Sequence, residues 1–410
     1  MRIGIGLHLL APDNGGVTNY TLTLLRLWPE YMPEHPLILF SFPHNDPLLA
    51  TLPPAARRHE LRLQTQEDAL CQLDRIDVYF CPFGTLWPRP FPKPTVLTFH
   101  DMQERFFPDY FTNAERAERF FHYDASLRMA DAVIAISRFT QDMATELAGI
   151  PRAKSRVVHH VPDELPAPKL PLRLPKEFSS GRFFFYPANL WRHKNHRTLL
   201  QGFSEALRQD PSLRLVCTGS LLGREGDWNQ WVDELGLSGH VIHLGKVSRA
   251  EISWLFQHAR GLIFPSLFEG FGIPLIEAMQ SRCPIACGSN TSQAEVASNA
   301  ALYFHADQPT SIARAITRLA QDGSLRDGLI HAGSERLKEF TKQRFLQGHL
   351  EAFRLAQHRH SPTRRWINEN IYHPASQPPR HALTEREKRI AASLLRERSQ
   401  LPPSYEHVFQ

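Results

Sequence analysis

The sequence predicts an α/β protein built from two doubly wound parallel sheets. Short apolar runs alternate with segments of helical spacing through both halves of the 410-residue chain. Residues 161–181 separate the halves and contain five prolines, which break helices and stiffen an extended connector. We therefore expect a domain at residues 1–165, a linker at 166–180, a second domain at 181–357 and a tail at 358–410.

The first half contains five apolar runs that predict the strands of one sheet. They lie at residues 2–9, 37–41, 78–80, 95–99 and 132–136. Ligands of doubly wound sheets bind at the carboxyl ends of the strands. Residues at or just beyond those ends are candidates for a binding site: Gly15, Gly16, His100, Asp101 and Ser137. Ser137 is also expected to cap a helix that starts at Arg138.

The second half repeats the alternation. Its strands are predicted at residues 182–186, 213–218, 241–244, 261–264, 284–287 and 300–304, and its last helix at 341–357. Arg192 and Lys194 follow the first of these strands and precede a helix predicted at residues 197–208. Basic side chains in that position would neutralise phosphate, and arginine can bind two oxygens at once.

The most informative stretch lies at residues 264–279. A buried strand leads into a loop with Gly270 and Gly272, and Pro274 suits the first turn of the helix that follows. Such a loop directs backbone N–H groups and a positive helix end toward one spot, which suits a phosphate or a sugar hydroxyl. Two carboxylates flank that spot, Glu269 on the loop and Glu277, which we expect in the first turn of the helix.

This stretch resembles the E-x7-E motif of GT-B glycosyltransferases, in the extended form P-S-x-x-E-G-F-G-x-P-x-x-E-A. It is similar to the large retaining family 4 of those enzymes. The resemblance covers about residues 1–355 and implies two Rossmann-like domains that face each other across a cleft. It also implies that a terminal helix at about residues 340–353 crosses back onto the first domain. It also implies transfer of a hexose, with mannose favoured, from a nucleotide diphosphate sugar to an acceptor hydroxyl, in polysaccharide or glycolipid biosynthesis.

The resemblance further implies a role for each matching residue. His100 and Glu269 are the expected catalytic residues, with His100 on the side where the acceptor arrives. Glu277 is expected to hold the ribose, and Lys246 and Val247 to lie near the base. The remaining expected contacts are with the donor diphosphate (Arg192, Lys194, Gly15 and Gly16) and with the donor sugar (Glu269, Gly270, Phe271, Gly272 and Ile273).

We expect no cofactor and no essential metal. The sequence has no D-x-D triplet, which other glycosyltransferases use to hold a metal on the diphosphate, and Arg192 and Lys194 offer side-chain cations instead. The co-substrate is expected to be GDP- or UDP-linked. Two alternatives stay open: a GT-B sugar-nucleotide epimerase or phosphorylase, and a non-catalytic nucleotide-sugar-binding scaffold.

Composition and charge limit the partners and the cellular location that we expect. The net charge of +5 is mildly basic and fits anionic ligands or an anionic membrane surface, and we expect no nucleic-acid partner. The five cysteines form no disulfide or zinc pattern. No apolar run has the length of a membrane span, so we expect a cytoplasmic protein with a glycan or lipid-linked acceptor.

Two segments leave alternatives open. Residues 115–129 mix arginine with aromatic residues, which suits either a helix that covers the sheet or a peripheral contact with the inner face of the membrane. The tail after residue 357 lies outside the resemblance. It contains a charged helix predicted at 384–399, and it would wrap the catalytic body, form oligomer contacts or stay partly disordered.

Overall fold

A computed structural model describes residues 1–12, 15–65, 67–89, 91–178, 183–370 and 382–399. The chain divides into two compact units. Among the described residues, the first takes in residues 1–161 and 341–393, and the second takes in residues 162–340 and 394–399.

The first unit contains a seven-stranded parallel sheet in the order β3-β2-β1-β4-β5-β6-β7. The strands are β1 (Ile3–Gly6), β2 (Leu37–Ser41), β3 (Glu60–Arg62), β4 (Val78–Cys81), β5 (Thr95–Phe99), β6 (Ala132–Ala135) and β7 (Ser155–Val157). The strand order reverses between β1 and β4, so the topological switch point of this sheet lies between their carboxyl ends.

The second unit contains a six-stranded parallel sheet in the order β10-β9-β8-β11-β12-β13. The strands are β8 (Phe183–Pro187), β9 (Arg214–Thr218), β10 (Val241–His243), β11 (Gly261–Phe264), β12 (Ile285–Gly288) and β13 (Ala301–Phe304). Here the order reverses between β8 and β11. Both sheets confirm the predicted class of two doubly wound α/β units.

Helices connect the strands in both units. In chain order they are α1 (Gly15–Tyr31), α2 (Asp46–Leu49), α3 (Gln103–Phe106), α4 (Asn113–Met129), α5 (Arg138–Glu146), α6 (His196–Leu207), α7 (Glu225–Glu234), α8 (Arg249–His258), α9 (Ile273–Gln280), α10 (Gln293–Ala297), α11 (Pro309–Gln321), α12 (Gly323–Leu337), α13 (Lys342–Arg359), α14 (Pro362–Asn370) and α15 (Glu385–Ser399). None of the helices in the described residues combines the length and apolar character needed to cross a bilayer.

Helix α13 follows the second unit in sequence but packs within the first, against strands β4 to β7 and helix α1. Its apolar side chains explain this, because Phe345, Leu350 and Phe353 are all buried there. The Trp28 ring of α1 lies edge-on to Phe353, with 5.6 Å between the ring centroids.

Local physical chemistry explains where some of the helices begin. The Ser137 hydroxyl accepts a hydrogen bond from the Thr140 N–H and caps α5, as predicted. Helix α1 begins at Gly15, which lies in the left-handed region at φ +50°. The edge strands β3 and β7 were not predicted because each has only three residues and carries little apolar character.

Candidate active site

The loop between β11 and α9 is held in place by side chains that follow β12. Gly272 ends the loop at φ 95°, a left-handed conformation that a residue with a Cβ rarely adopts. The Thr291 hydroxyl accepts a 3.0 Å hydrogen bond from the Glu269 N–H. The Ser292 hydroxyl lies 2.9 Å from the Glu269 carbonyl and 3.0 Å from that of Phe271. The loop that carries Gly270 to Ile273 is therefore fixed rather than open.

A second loop, after β8, is fixed to the first. Residues 192–194 form one short turn, and Asn195 ends it in the left-handed region at φ 60°. The Asn195 amide nitrogen lies 2.6 Å from the Ala306 carbonyl and 3.2 Å from that of Pro265, to which it donates. The Tyr186 hydroxyl donates to the Lys194 carbonyl at 2.6 Å. Only a few residue types adopt this backbone conformation easily, which explains an asparagine directly after Lys194.

These loops bring two of the predicted site residues together. The Lys194 ammonium nitrogen lies 2.6 Å from a Glu269 carboxylate oxygen, and the two side chains are 19% and 10% exposed. Lys194 follows β8 and Glu269 follows β11, so the ion pair lies at the switch point of the second sheet. A cation and an anion are thus held next to each other where doubly wound sheets bind ligands.

Glu277 lies in the second turn of α9, so the prediction of the first turn was wrong. The helix begins at Ile273, one residue before Pro274, and this places Glu277 on its buried face with 8% of the side chain exposed. A nitrogen of the Arg249 guanidinium lies 2.5 Å from its carboxylate oxygen. The ion pair keeps a nearly buried carboxylate compensated.

Sequence reasoning missed Arg249. This residue is the first of α8, directly after Ser248, whose hydroxyl forms a capping box with Glu251. The pattern S-x-x-E marks the start of a helix and was available in the sequence. What the sequence does not contain is the position of α8 beside α9, which brings Arg249 to Glu277.

Histidines near the loop after β8 stay neutral. Burial lowers the pKa of His193 to about 2, that of His196 to about 3 and that of His243 to about 4. The imidazoles therefore add no positive charge around neutral pH, and cationic character in this region comes from lysine and arginine.

The other residues that we predicted to contact the donor lie on loops of the second unit. Arg192 is exposed on the turn before α6, and Lys246 and Val247 follow β10, with Lys246 exposed. The Gly245 carbonyl next to them accepts a 2.9 Å hydrogen bond from Gly219 at the end of β9. Their roles toward phosphate and base stay predictions.

In the first unit, His100 follows β5, and a hydrogen bond from its ring fixes the orientation of the side chain. The Nε2 atom lies 2.6 Å from the Pro82 carbonyl and donates to it, so the neutral ring keeps its lone pair on Nδ1. Burial lowers the pKa of His100 below the usual histidine value. Tyr20 lies edge-on at 5.4 Å between ring centroids. His100 is thus placed as a neutral hydrogen-bonding group.

Gly15 and Gly16 open helix α1, which follows β1 in the same unit. A Cβ built on Gly15 would meet no atom within 4 Å, so its positive φ, and not crowding, favours glycine there. Their proposed contact with the diphosphate stays a prediction. Among the described residues, no group of three or more His, Cys, Asp or Glu side chains could hold a metal ion.

Two family models match the chain over most of its length. The model "Glycosyltransferase Family 4" matches residues 6–163, and "Glycosyl transferases group 1" matches residues 175–336. The chain belongs to glycosyltransferase family 4. It is therefore an enzyme of the transferase class, and the resemblance of residues 264–279 to that family is confirmed.

Several relatives of this chain are named as mannosyltransferases. The chain is 28% identical over 274 residues to O-antigen chain mannosyltransferase B of Escherichia coli, covering 63% of this chain and 70% of the relative. It is 27% identical to O-antigen chain mannosyltransferase RfbU of Salmonella typhimurium, covering 57% of this chain and 62% of that relative. The serotype-specific mannosyltransferase WbdA of Escherichia coli is 33% identical, but over only 30% of this chain and 15% of its own length.

Solved structures share the fold. Anabaena HepE, in complex with UDP and glucose, has a TM-score of 0.66 and 17% identity, covering 86% of this chain and 98% of its own. Sucrose-phosphate synthase from Thermosynechococcus elongatus has a TM-score of 0.66 and 19% identity over the same shares. The fold is α/β GT-B, as the sequence predicted.

Proposed function

We propose that this glycosyltransferase moves a hexose, with mannose favoured, from a nucleotide diphosphate sugar to an acceptor hydroxyl with retention of configuration. The acceptor would be a glycan or a lipid-linked glycan in polysaccharide or glycolipid synthesis. The names of the relatives support mannose, because three of them are mannosyltransferases that match 30–63% of this chain.

The observation that carries the proposal is the ion pair between Lys194 and Glu269 at the switch point of the second sheet, with 2.6 Å between the charged atoms. The leaving nucleoside diphosphate gains negative charge as the glycosidic bond breaks. A lysine held in place before the reaction stabilises that charge without reorganisation. The Glu269 carboxylate beside it accepts hydrogen bonds from sugar hydroxyls.

The neighbouring pair of Glu277 and Arg249 supports a role with the nucleoside. A carboxylate held in one orientation by a guanidinium can accept two ribose hydroxyls. That contact exists before and after the sugar is transferred. Glu277 would therefore contribute to binding of the nucleoside, whereas Lys194 would contribute to binding of the diphosphate and to the rate.

His100 would serve the acceptor side. Its neutral ring, with Nε2 bonded to the Pro82 carbonyl, orients a hydroxyl more readily than it carries a full positive charge. The departing phosphate would help to deprotonate the acceptor, and no strong protein base is assigned. The lysine and arginine cations would replace a metal on the diphosphate.

The test begins with a thermal-shift screen of GDP, UDP and their hexose derivatives in the presence of EDTA. The purified protein is then incubated with the best donor and a mixed glycolipid extract, and the anomeric configuration of the product is read by NMR. Transfer with retained configuration in EDTA is expected. Donor binding without transfer or hydrolysis would contradict the enzyme mechanism and favour a binding role.

A further inference from the structure

The C-terminal segment is fastened to the first unit by a buried charge. Arg105 lies in α3, five residues after His100, and its side chain is fully buried. One guanidinium nitrogen lies 2.5 Å from an Asp124 oxygen, and another lies 3.0 Å from a Glu387 oxygen in α15. The guanidinium carbon also lies 3.8 Å from the centre of the Phe120 ring. A fully buried arginine needs such partners, and one of them comes from the far end of the chain.

Glu387 uses its two carboxylate oxygens for different purposes. One accepts hydrogen bonds from the N–H and the hydroxyl of Thr384, at 2.8 and 2.9 Å, which closes a capping box at the start of α15. The other accepts from Arg105. The residue that starts the helix is thus the same residue that docks it, so α15 is formed and anchored at one point.

A second contact fixes the C-terminal segment near the start of strand β5. Arg364 in α14 donates to an Asp131 oxygen at 3.0 Å, and His360 lies 3.0 Å from the other oxygen. Asp131 in turn accepts from the Thr95 N–H at the start of β5. The segment after α13 is therefore attached both before β5 begins and after β5 ends.

The docked helix acts on the segment beside His100. Strand β5 ends at Phe99, and residues 100–102 lead directly into α3, with the Met102 carbonyl accepting the Arg105 N–H at 2.9 Å. Fixing Arg105 therefore limits the backbone freedom of the turn that carries His100.

We propose that Glu387 is a positioning residue that holds α3, through Arg105, in the geometry that His100 requires on the acceptor side. The start of the C-terminal helix, residues 385–393, is then a functional part of the first unit and not a dispensable tail. The catalytic part of this inference rests on the proposed function, whereas the contact itself does not.

The test uses three full-length variants. Glu387→Gln keeps the capping box, which accepts glutamine, but removes the charge that faces Arg105. Glu387→Asp keeps the charge on a shorter side chain. Glu385→Gln is the matched control, because Glu385 lies in the same helix, its side chain is 79% exposed, and its carboxylate pairs with Lys388 on the helix surface.

Hydrogen exchange gives a readout that does not depend on activity. Glu387→Gln should speed exchange about tenfold or more at residues 101–107 and 384–393, because a lost bond to a buried charge costs at least that factor. Glu387→Asp should restore most of the protection, and Glu385→Gln should match the wild type. Unchanged exchange at residues 101–107 in Glu387→Gln would overturn the proposal.

Kinetics then separate positioning from plain destabilisation. Glu387→Gln should lower the rate of transfer about tenfold while the affinity for nucleoside diphosphate stays within about twofold. An unchanged rate, or an equal loss of both quantities, would overturn the positioning role. If the wild type transfers no sugar from any donor, the proposed function fails, and the exchange comparison alone decides whether Glu387 fixes α3.

Discussion

The two switch points of this molecule are built from opposite chemistry. In the second unit, charged side chains line it, with Lys194 and Glu269 in an ion pair of 2.6 Å. In the first unit, β1 leads to His8, whose pKa burial lowers to about 4, and β4 leads to Pro82, whose carbonyl binds neutral His100. The same topology thus places an ion pair at the switch point of one unit and neutral imidazoles near that of the other. The difference fits a charged nucleotide sugar in one and an uncharged acceptor hydroxyl in the other.

The largest effect is expected where the charge is fixed. Lys194→Ala should lower kcat/KM by a factor that corresponds to a loss of about 2–4 kcal/mol of transition-state stabilisation. The reason is that the variant lacks a charge-assisted contact to the leaving diphosphate. The fold should survive, since Lys194 lies on a loop at the end of a strand. Steady-state kinetics and a thermal unfolding curve measure both effects.

Lys338→Ala is the matched control for that variant. Lys338 lies in the same unit and pairs with Glu335 at 2.6 Å, but these side chains are 69% and 54% exposed. Exposed pairs contribute little, so its turnover should equal that of the wild type. Normal turnover in Lys194→Ala as well would remove the contrast between the two units.

The first unit contains a buried acid that should make its stability fall with rising pH. Burial raises the pKa of Glu104, on α3, from 4.5 to about 7, against the attraction of Arg105 and Arg119. The folded state therefore holds a proton that the unfolded state has released between those pH values, and stability falls there as pH rises. As the pH rises from 4.5 to 7, the free energy of unfolding of Glu104→Gln should increase by up to about 3 kcal/mol relative to that of the wild type.

Urea unfolding at several pH values measures that difference. Glu115→Gln is the opposite control, because hydrogen bonds from Thr112 lower the pKa of Glu115, and its contribution is lost as pH falls. A difference between Glu104→Gln and the wild type that does not change with pH would show that Glu104 is ionised in the folded protein.

The two carboxylates of the second unit should separate in a binding experiment. Glu277→Ala should weaken nucleoside diphosphate binding by about 1.5–3 kcal/mol, the range for hydrogen bonds to a charged group. Glu269→Ala should leave that affinity nearly unchanged and lower turnover instead, because its partner is the sugar. Titration with nucleoside diphosphate and rates with the full donor give both values, and the reverse pattern would exchange the two roles.

The smallest effect is expected at the neutral switch point. His100→Ala should lower the rate of transfer by a factor that corresponds to about 0.5–1.5 kcal/mol, the range for a neutral hydrogen bond. The affinity for nucleoside diphosphate should stay unchanged. Because burial lowers the pKa of His100, the wild-type rate should show no step near pH 6.5 that this variant removes. Such a step would show that His100 works as a proton carrier.

Sequence patterns were sufficient for the fold and for part of the site. Strand–helix alternation predicted both sheets, and the spacing of Glu269 and Glu277 led to the correct family. The pairing of Lys194 with Glu269 follows from topology, because each residue follows a strand beside the switch point. Arg249 and Glu387 could not be predicted in the same way. Their partners, Glu277 and Arg105, lie 28 and 282 residues away and meet them only through helix packing.

The most direct test of the account compares nucleoside diphosphate with nucleoside monophosphate by titration calorimetry in EDTA, in the wild type and in Lys194→Ala. The account predicts that the wild type binds the diphosphate at least tenfold more tightly, and that Lys194→Ala loses most of this preference while monophosphate binding is kept. An unchanged preference in Lys194→Ala would contradict the claim that the charged switch point of the second unit holds the donor diphosphate.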